Sequence, residues 1–194
     1  MRVQIIAFTI VYLLMLLTIF ILPFYSVETY SIMRNTTSEL AAQQTINAWI
    51  MRTIFVLLAL ASIWAGWIYL ERFWFQRICL LCFGISLLMT AVYSHAPIDR
   101  NLAYNISEDE WQSLFASITG FLFTLLAVSI AFIHKQRFAV YLSLLIAFVA
   151  TLLSLLMFSV IEFSGIWQRL IFILSFGWLI YEFNKEGIYH GQTE

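Results

Sequence analysis

The sequence predicts an all-α integral membrane bundle of six transmembrane helices, with two structured outer loops. Three observations predict it. Apolar residues make up 62% of the 194 residues and charged ones only 11%, with a mean hydropathy of +0.90; soluble domains carry about 25% charged residues. The apolar residues gather into six stretches, each near the about 20 needed to cross a hydrocarbon core. No ten-residue stretch alternates with period two, as a membrane barrel requires, so backbone groups in lipid are satisfied within helices. The spans fill most of the chain and leave one membrane domain, 1–194, with no separate soluble one.

The first span is 3–25. Met1-Arg2 leads straight into it, it exceeds the apolar region of a cleaved signal, and no small-x-small site comes after it; the expectation is an uncleaved helix. A long connection, 26–47, contains Thr36-Thr37-Ser38-Glu39. This is a capping box: the hydroxyl caps a helix start and the acid reaches back. A short helix through Glu39–Gln44 is expected after it. The second span, 48–70, has Ala48, Arg52, Ala59, Ser62 and Gly66 at helical spacing on one face. Small residues allow close approach, so this face should turn into the bundle.

The third span, 78–94, is short and starts earlier if the preceding turn is tight. Cys79 and Cys82 form a C-x-x-C string at its inner end, where thiols stay reduced. They read as small packing residues on a stripe with Ser86. A second long connection, 95–113, holds Ser107-Glu108-Asp109-Glu110, again a capping pattern, so the fourth helix begins above the membrane before its span, 114–134. Its stripe is Asp109, Gln112, Ser113, Ala116 and Gly120. The fifth and sixth spans, 138–160 and 165–183, are joined by a few residues, and Arg169 lies about one turn inside the sixth. Short connections make antiparallel neighbours.

Lys and Arg set the orientation. With the N-terminus inside, the cytoplasmic side holds Arg2, Arg72, Arg77, Lys135, Arg137 and Lys185, against Arg34, Arg52, Arg100 and Arg169 outside. The outer loops are acidic, with Glu28, Glu39, Asp99, Glu108, Asp109, Glu110 and Glu162. Both termini are therefore placed in the cytoplasm, and the chain in the cell membrane. Tyr25, Trp49, Tyr93, Trp111 and Trp167 fall at one interface, and Tyr69, Trp74, Tyr141 and Tyr181 at the other, as amphipathic rings prefer.

Charge within lipid is costly and turns toward protein or water. Arg52 and Arg169 either snorkel to the headgroups or join an outward-facing polar pocket of Glu39, Arg52, His95, Asp109, Gln112, Ser113 and Arg169. In that pocket the two arginines would hold an anionic group. The bland alternative is an ion-pair network that only locks the loops to the bundle. His95, His134 and His190 lie in three regions, which argues against haem held by paired imidazoles. No metalloprotease spacing and no nucleophile elbow occurs. No cofactor is expected, and no basic tail or phosphate loop points to nucleic acid.

The strings Asn35-Thr36-Thr37-Ser38-Glu39-Leu40, Gln43-Gln44-Thr45 and Asn47-Ala48-Trp49-Ile50-Met51 resemble the first outer segment of the bacterial membrane family called domain of unknown function 998. Glu108-Asp109 with Ser113, Ala116 and Gly120 resembles its second outer segment and fourth helix. Where the family pattern has a histidine before the serine, this chain has Gln112, which speaks against proton transfer there. The resemblance implies a six-helix layout similar to Frag/DRAM/Sfk-type membrane proteins and assigns no activity. The reading is a small polytopic protein that binds a lipid headgroup or small anionic ligand at its outer face. Its rivals are an accessory protein without a ligand, a small-solute transporter and, least supported, an enzyme. Membrane lipids are the expected partners, and a second copy or another membrane protein is left open.

Overall fold

The structure is a computed structural model that describes residues 2–99 and 101–185; Arg100 and His190 lie outside the described residues. Six α-helices run through it: α1 (Arg2–Ile21), α2 (Ala48–Tyr69), α3 (Trp74–Val92), α4 (Ile106–Ala131), α5 (Arg137–Ser159) and α6 (Ser164–Asn184). All six are long and apolar enough to cross a membrane, and no strand occurs among the described residues. The chain is a polytopic membrane protein. The third helix starts at Trp74, and the fourth starts eight residues before its apolar span, in keeping with the capping pattern.

Each helix packs on its sequence neighbour, and α6 returns to α1, so the six form a closed ring. Two turns, 70–73 and 132–136, sit at one end beside the start of α1 and the end of α6; this is the short-turn end. The two long connections and the short turn at 160–163 make the opposite, long-loop end.

Local chemistry explains the boundaries. Thr36 and Glu39 form the reciprocal box: Glu39 N–H donates to Thr36 Oγ1 at 3.3 Å, and Thr36 N–H donates to Glu39 Oε2 at 2.5 Å. The box opens only a 3₁₀ turn, Ser38–Ala41, shorter than the expected helix through Gln44. In α4 the cap is not Ser107. Asn105 accepts from Glu108 N–H at 3.3 Å, which puts Glu108 and Asp109 in the first turn, where the helix dipole favours acids.

The small stripe of α2 does face the bundle, with Ala48, Ala59, Ser62 and Gly66 buried. A Cβ on Gly66 would meet Leu80 at 2.5 Å and Phe183 at 2.6 Å, so three helices close on this point. Cys79 is buried but Cys82 is exposed: one is a packing residue and the other lies on the ring's outer surface. At the end of α2 the Tyr69 hydroxyl donates to Glu182 of α6 at 2.6 Å.

Candidate functional site

The seven residues singled out from the sequence fall into two groups. Arg169 is only 3% exposed. Its Nε–H donates to Ile19 O at 3.2 Å, Nη1 to Ile32, Asn35 and Gly165 carbonyls at 2.8–3.1 Å, and Nη2 to Tyr30 Oη at 2.7 Å. The guanidinium fork is thus spent on carbonyls and one hydroxyl. Arg52 is half-buried and donates through Nε to Ala41 O at 3.1 Å. Glu39 is occupied by Thr36 and by the Asn35 side chain at 3.1 Å. Arg52 and Arg169 hold the first long loop to the bundle, and Glu39 braces that loop internally.

Two neighbours do the same work and were not singled out from the sequence. Gln168 Oε1 accepts from Thr37 N–H and Oγ1, each at 2.6 Å, and from Ser38 N–H at 3.2 Å. Its Nε2 donates to Ser38 Oγ at 3.2 Å. Tyr30 donates to Asn35 and Thr36 carbonyls at 3.1 and 2.9 Å, and burial pushes its hydroxyl up to a pKa of about 12, against the pull of Arg169. At Gly165 no Cβ fits, because the Ile32 and Asn35 carbonyls press on it. Carbonyl partners carry no signature in sequence; the adjacent Gln168-Arg169 pair in an apolar helix is the signal that could have found the site.

The second group is His95, Asp109, Gln112 and Ser113. The His95 imidazole contacts the Asp109 carboxylate through Nδ1, and Asp109 also accepts Ala96 N–H at 2.7 Å. The second loop is thereby tied to the start of α4. The two loops are tied to each other by Gln43. Its N–H donates to His95 O, its Nε2 to Ser94 and Asn105 carbonyls, and its Oε1 accepts Asn105 N–H, all at 2.8–3.1 Å. Gln44 adds a bond to Ala103 O.

Beneath this double loop the ring encloses a cavity of about 380 Å³, within the range of small-molecule sites. His95, Gln112 and Ser113 line its mouth with Thr36, Ser38 and Gln168; Glu39, Arg52, Asp109 and Arg169 do not line it. From Gln112 to Phe123 it runs along α4 for about 16 Å, roughly half a bilayer core. Phe55, Phe83, Phe123, Phe172 and Phe176 line its depth. Phe83 lies 6.0 Å from Phe123 and 6.1 Å from Phe176, ring centre to ring centre, and Trp178 packs edge-on under Phe123 at 5.8 Å.

The stripe on α4 has a different meaning from that on α2. It does not close on another helix. Gln112, Ser113, Ala116 and Gly120 border the cavity, and a Cβ on Gly120 would meet nothing within 4 Å. Gln112 is 3% exposed and, among the described residues, its side chain makes no hydrogen bond. Ser175 Oγ, also on the cavity wall, is buried without a partner. Buried polar groups are normally satisfied, so the unpaired Ser175 Oγ on this wall is unusual.

At the short-turn end lies a cluster that was also not singled out from the sequence. Glu182, 0% exposed, accepts Tyr69 Oη–H at 2.6 Å and has His134 Nε2 and Lys185 Nζ each 2.7 Å away. The acid within the last apolar helix, three residues before Lys185, was its visible sign. No group of three metal-ligating side chains occurs among the described residues.

A family model described as "Protein of unknown function (DUF998)" matches residues 8–181. No curated protein and no solved structure matches the chain.

Proposed function

The chain belongs to the DUF998 family of proteins of unknown function, and on that premise we propose that it binds an amphipathic ligand in the cavity under its long loops. The observation that carries this reading is Gln112. The residue is 3% exposed, its carboxamide makes no hydrogen bond among the described residues, and it borders the cavity, so its donors and acceptor are open to a ligand there. A ligand head would pair with it, while an apolar body fills the phenylalanine-lined depth. His95 and Ser113 stand at the same mouth. Asp109 holds the His95 ring, and Glu39, Arg52 and Arg169 hold the roof. The long-loop end faces the outside in this proposal, since the short turns carry Arg72, Arg77, Lys135 and Arg137.

The saturated Arg169 favours a second reading for its half of the cluster. Five bonds from Arg169 to loop and helix are what a fastening needs, and an anion there would have to displace them.

The test is Gly120→Leu. The new side chain enters open space and removes a helical glycine, so stability should hold or rise by up to about 1 kcal/mol. Mass spectrometry of lipids that co-purify should show a species on the wild type and its loss from the variant. The same lipids on both proteins would count against the cavity as the binding place.

A further inference from the structure

The cavity has a roof and a floor but an incomplete side wall. The roof is clamped by Gln43 across both loops and by Gln168 on the first. The floor is aromatic. In mid-helix α4 and α5 are joined where the Thr124 and Thr151 hydroxyls meet at 3.3 Å. Nearer the loops, the facing residues are Ser113, Ser117 and Gly120 on α4 and Ser154, Met157 and Phe158 on α5. Ser113, Ser117, Gly120 and Phe158 are exposed. Apart from Ser113, this stretch lies within the apolar spans of two helices long and apolar enough to cross a membrane, where the surroundings to expect are hydrocarbon.

The lining chemistry narrows the occupant. None of the lining residues is Lys, Arg, Asp or Glu. Of the nearby charges, Arg169 is engaged by carbonyls and Asp109 by His95 and Ala96, while Arg52, off the lining, gives its Nε to the Ala41 carbonyl. A head with a fixed charge would enter an apolar wall without a counter-charge, at high cost. A hydroxyl or carbonyl head suits Gln112 and Ser113, since a carboxamide both donates and accepts. About 380 Å³ spread over about 16 Å of α4 suits one chain rather than two.

We infer that the ligand is an uncharged, single-chain amphiphile of the bilayer, which passes sideways between the loop-proximal halves of α4 and α5 with its polar head toward Gln112. The inference rests on the proposed cavity binding and adds a route and a ligand class to it. The route explains how a roofed site fills without undoing the Gln43 clamp.

The experiment uses the full chain in phosphatidylcholine vesicles. A monoacylglycerol with a photoreactive group near the chain end is added, and samples are flashed over time. The expected result is labelling of the Phe172–Phe176 stretch. Ser117→Trp, which adds bulk at an exposed position of the wall, should slow the labelling more than it lowers its end point. Gly120→Leu should lower the end point, and Gln43→Ala should change neither. Lysophosphatidylglycerol with the same photoreactive chain should label the stretch far less. Absence of labelling by either probe in the wild type sinks the cavity reading itself. Labelling at a rate that Ser117→Trp leaves unchanged, or that Gln43→Ala speeds, overturns the sideways route and leaves the cavity reading standing. Equal labelling by the anionic probe overturns the uncharged head.

Discussion

At Tyr30 one hydroxyl joins three parts of the chain. It donates to the Asn35 and Thr36 carbonyls and accepts from Arg169, so the loop, its capping box and α6 meet on one oxygen. Burial raises its pKa from the usual 10 to about 12. The folded state therefore keeps a proton that the unfolded chain gives up. The stability that Tyr30 contributes is whole below about pH 10 and is lost as pH rises to about 12. Denaturation of the wild type and Tyr30→Phe should accordingly differ at neutral pH, and the gap should narrow across pH 10–12; a constant gap would contradict it. Arg169 was visible in the sequence as a charge in an apolar stretch, and its place near the loop end was legible. Its partners were not, because four of the five are backbone carbonyls, which every residue has. Gln112 was legible by its three-residue step from Asp109. That it lies unpaired on a cavity wall depends on how far α4 stands from α6, which no local pattern records.

Helices differ in what their small residues do. On α2 the stripe ending at Gly66 brings Leu80 and Phe183 close, as the spacing predicts. On α4 the equivalent stripe borders empty space at Gly120. Spacing shows which residues share a face; it does not show whether a neighbour fills that face. Helix α6 is the element that ties both ends together. Gln168 and Arg169 fix one end, and Glu182 gathers Tyr69, His134 and Lys185 at the other. Removing one member of a buried charged group strands the rest, at about 3–5 kcal/mol. Thermal unfolding of Glu182→Leu in detergent should show a loss of that order, and Lys185→Ala a smaller one, since Lys185 is partly exposed and such pairs contribute little. Comparable losses from both would mean that the acid is held by Lys185 alone. Six apolar segments made the number and type of helix readable, while the two capping boxes misjudged only lengths and cap positions by a few residues, where boundaries are least constrained.

The molecule as a whole is a ring closed by α1 and α6, with ordered loops on one end and short basic turns on the other. The orientation proposed from those turns has its own test. A cysteine placed at Gln136, in a Cys82→Ser background, should react with an impermeant maleimide only when the cytoplasmic face is exposed, and one at Asn101 only from outside; the reverse pattern would invert the protein. Helix count, ring neighbours and loop placement are legible in segment lengths and short connections. The cavity is not, since it arises from what six packed cylinders leave unfilled. Ring closure also bears on how the chain is assembled during synthesis. The first five helices can pair hairpin by hairpin as they leave the ribosome, but Arg169 arrives last, carrying a charge that lipid tolerates poorly. The carbonyls of the first loop are waiting for it. Seating that arginine draws α6 against α1, and only then does the chamber acquire its last wall.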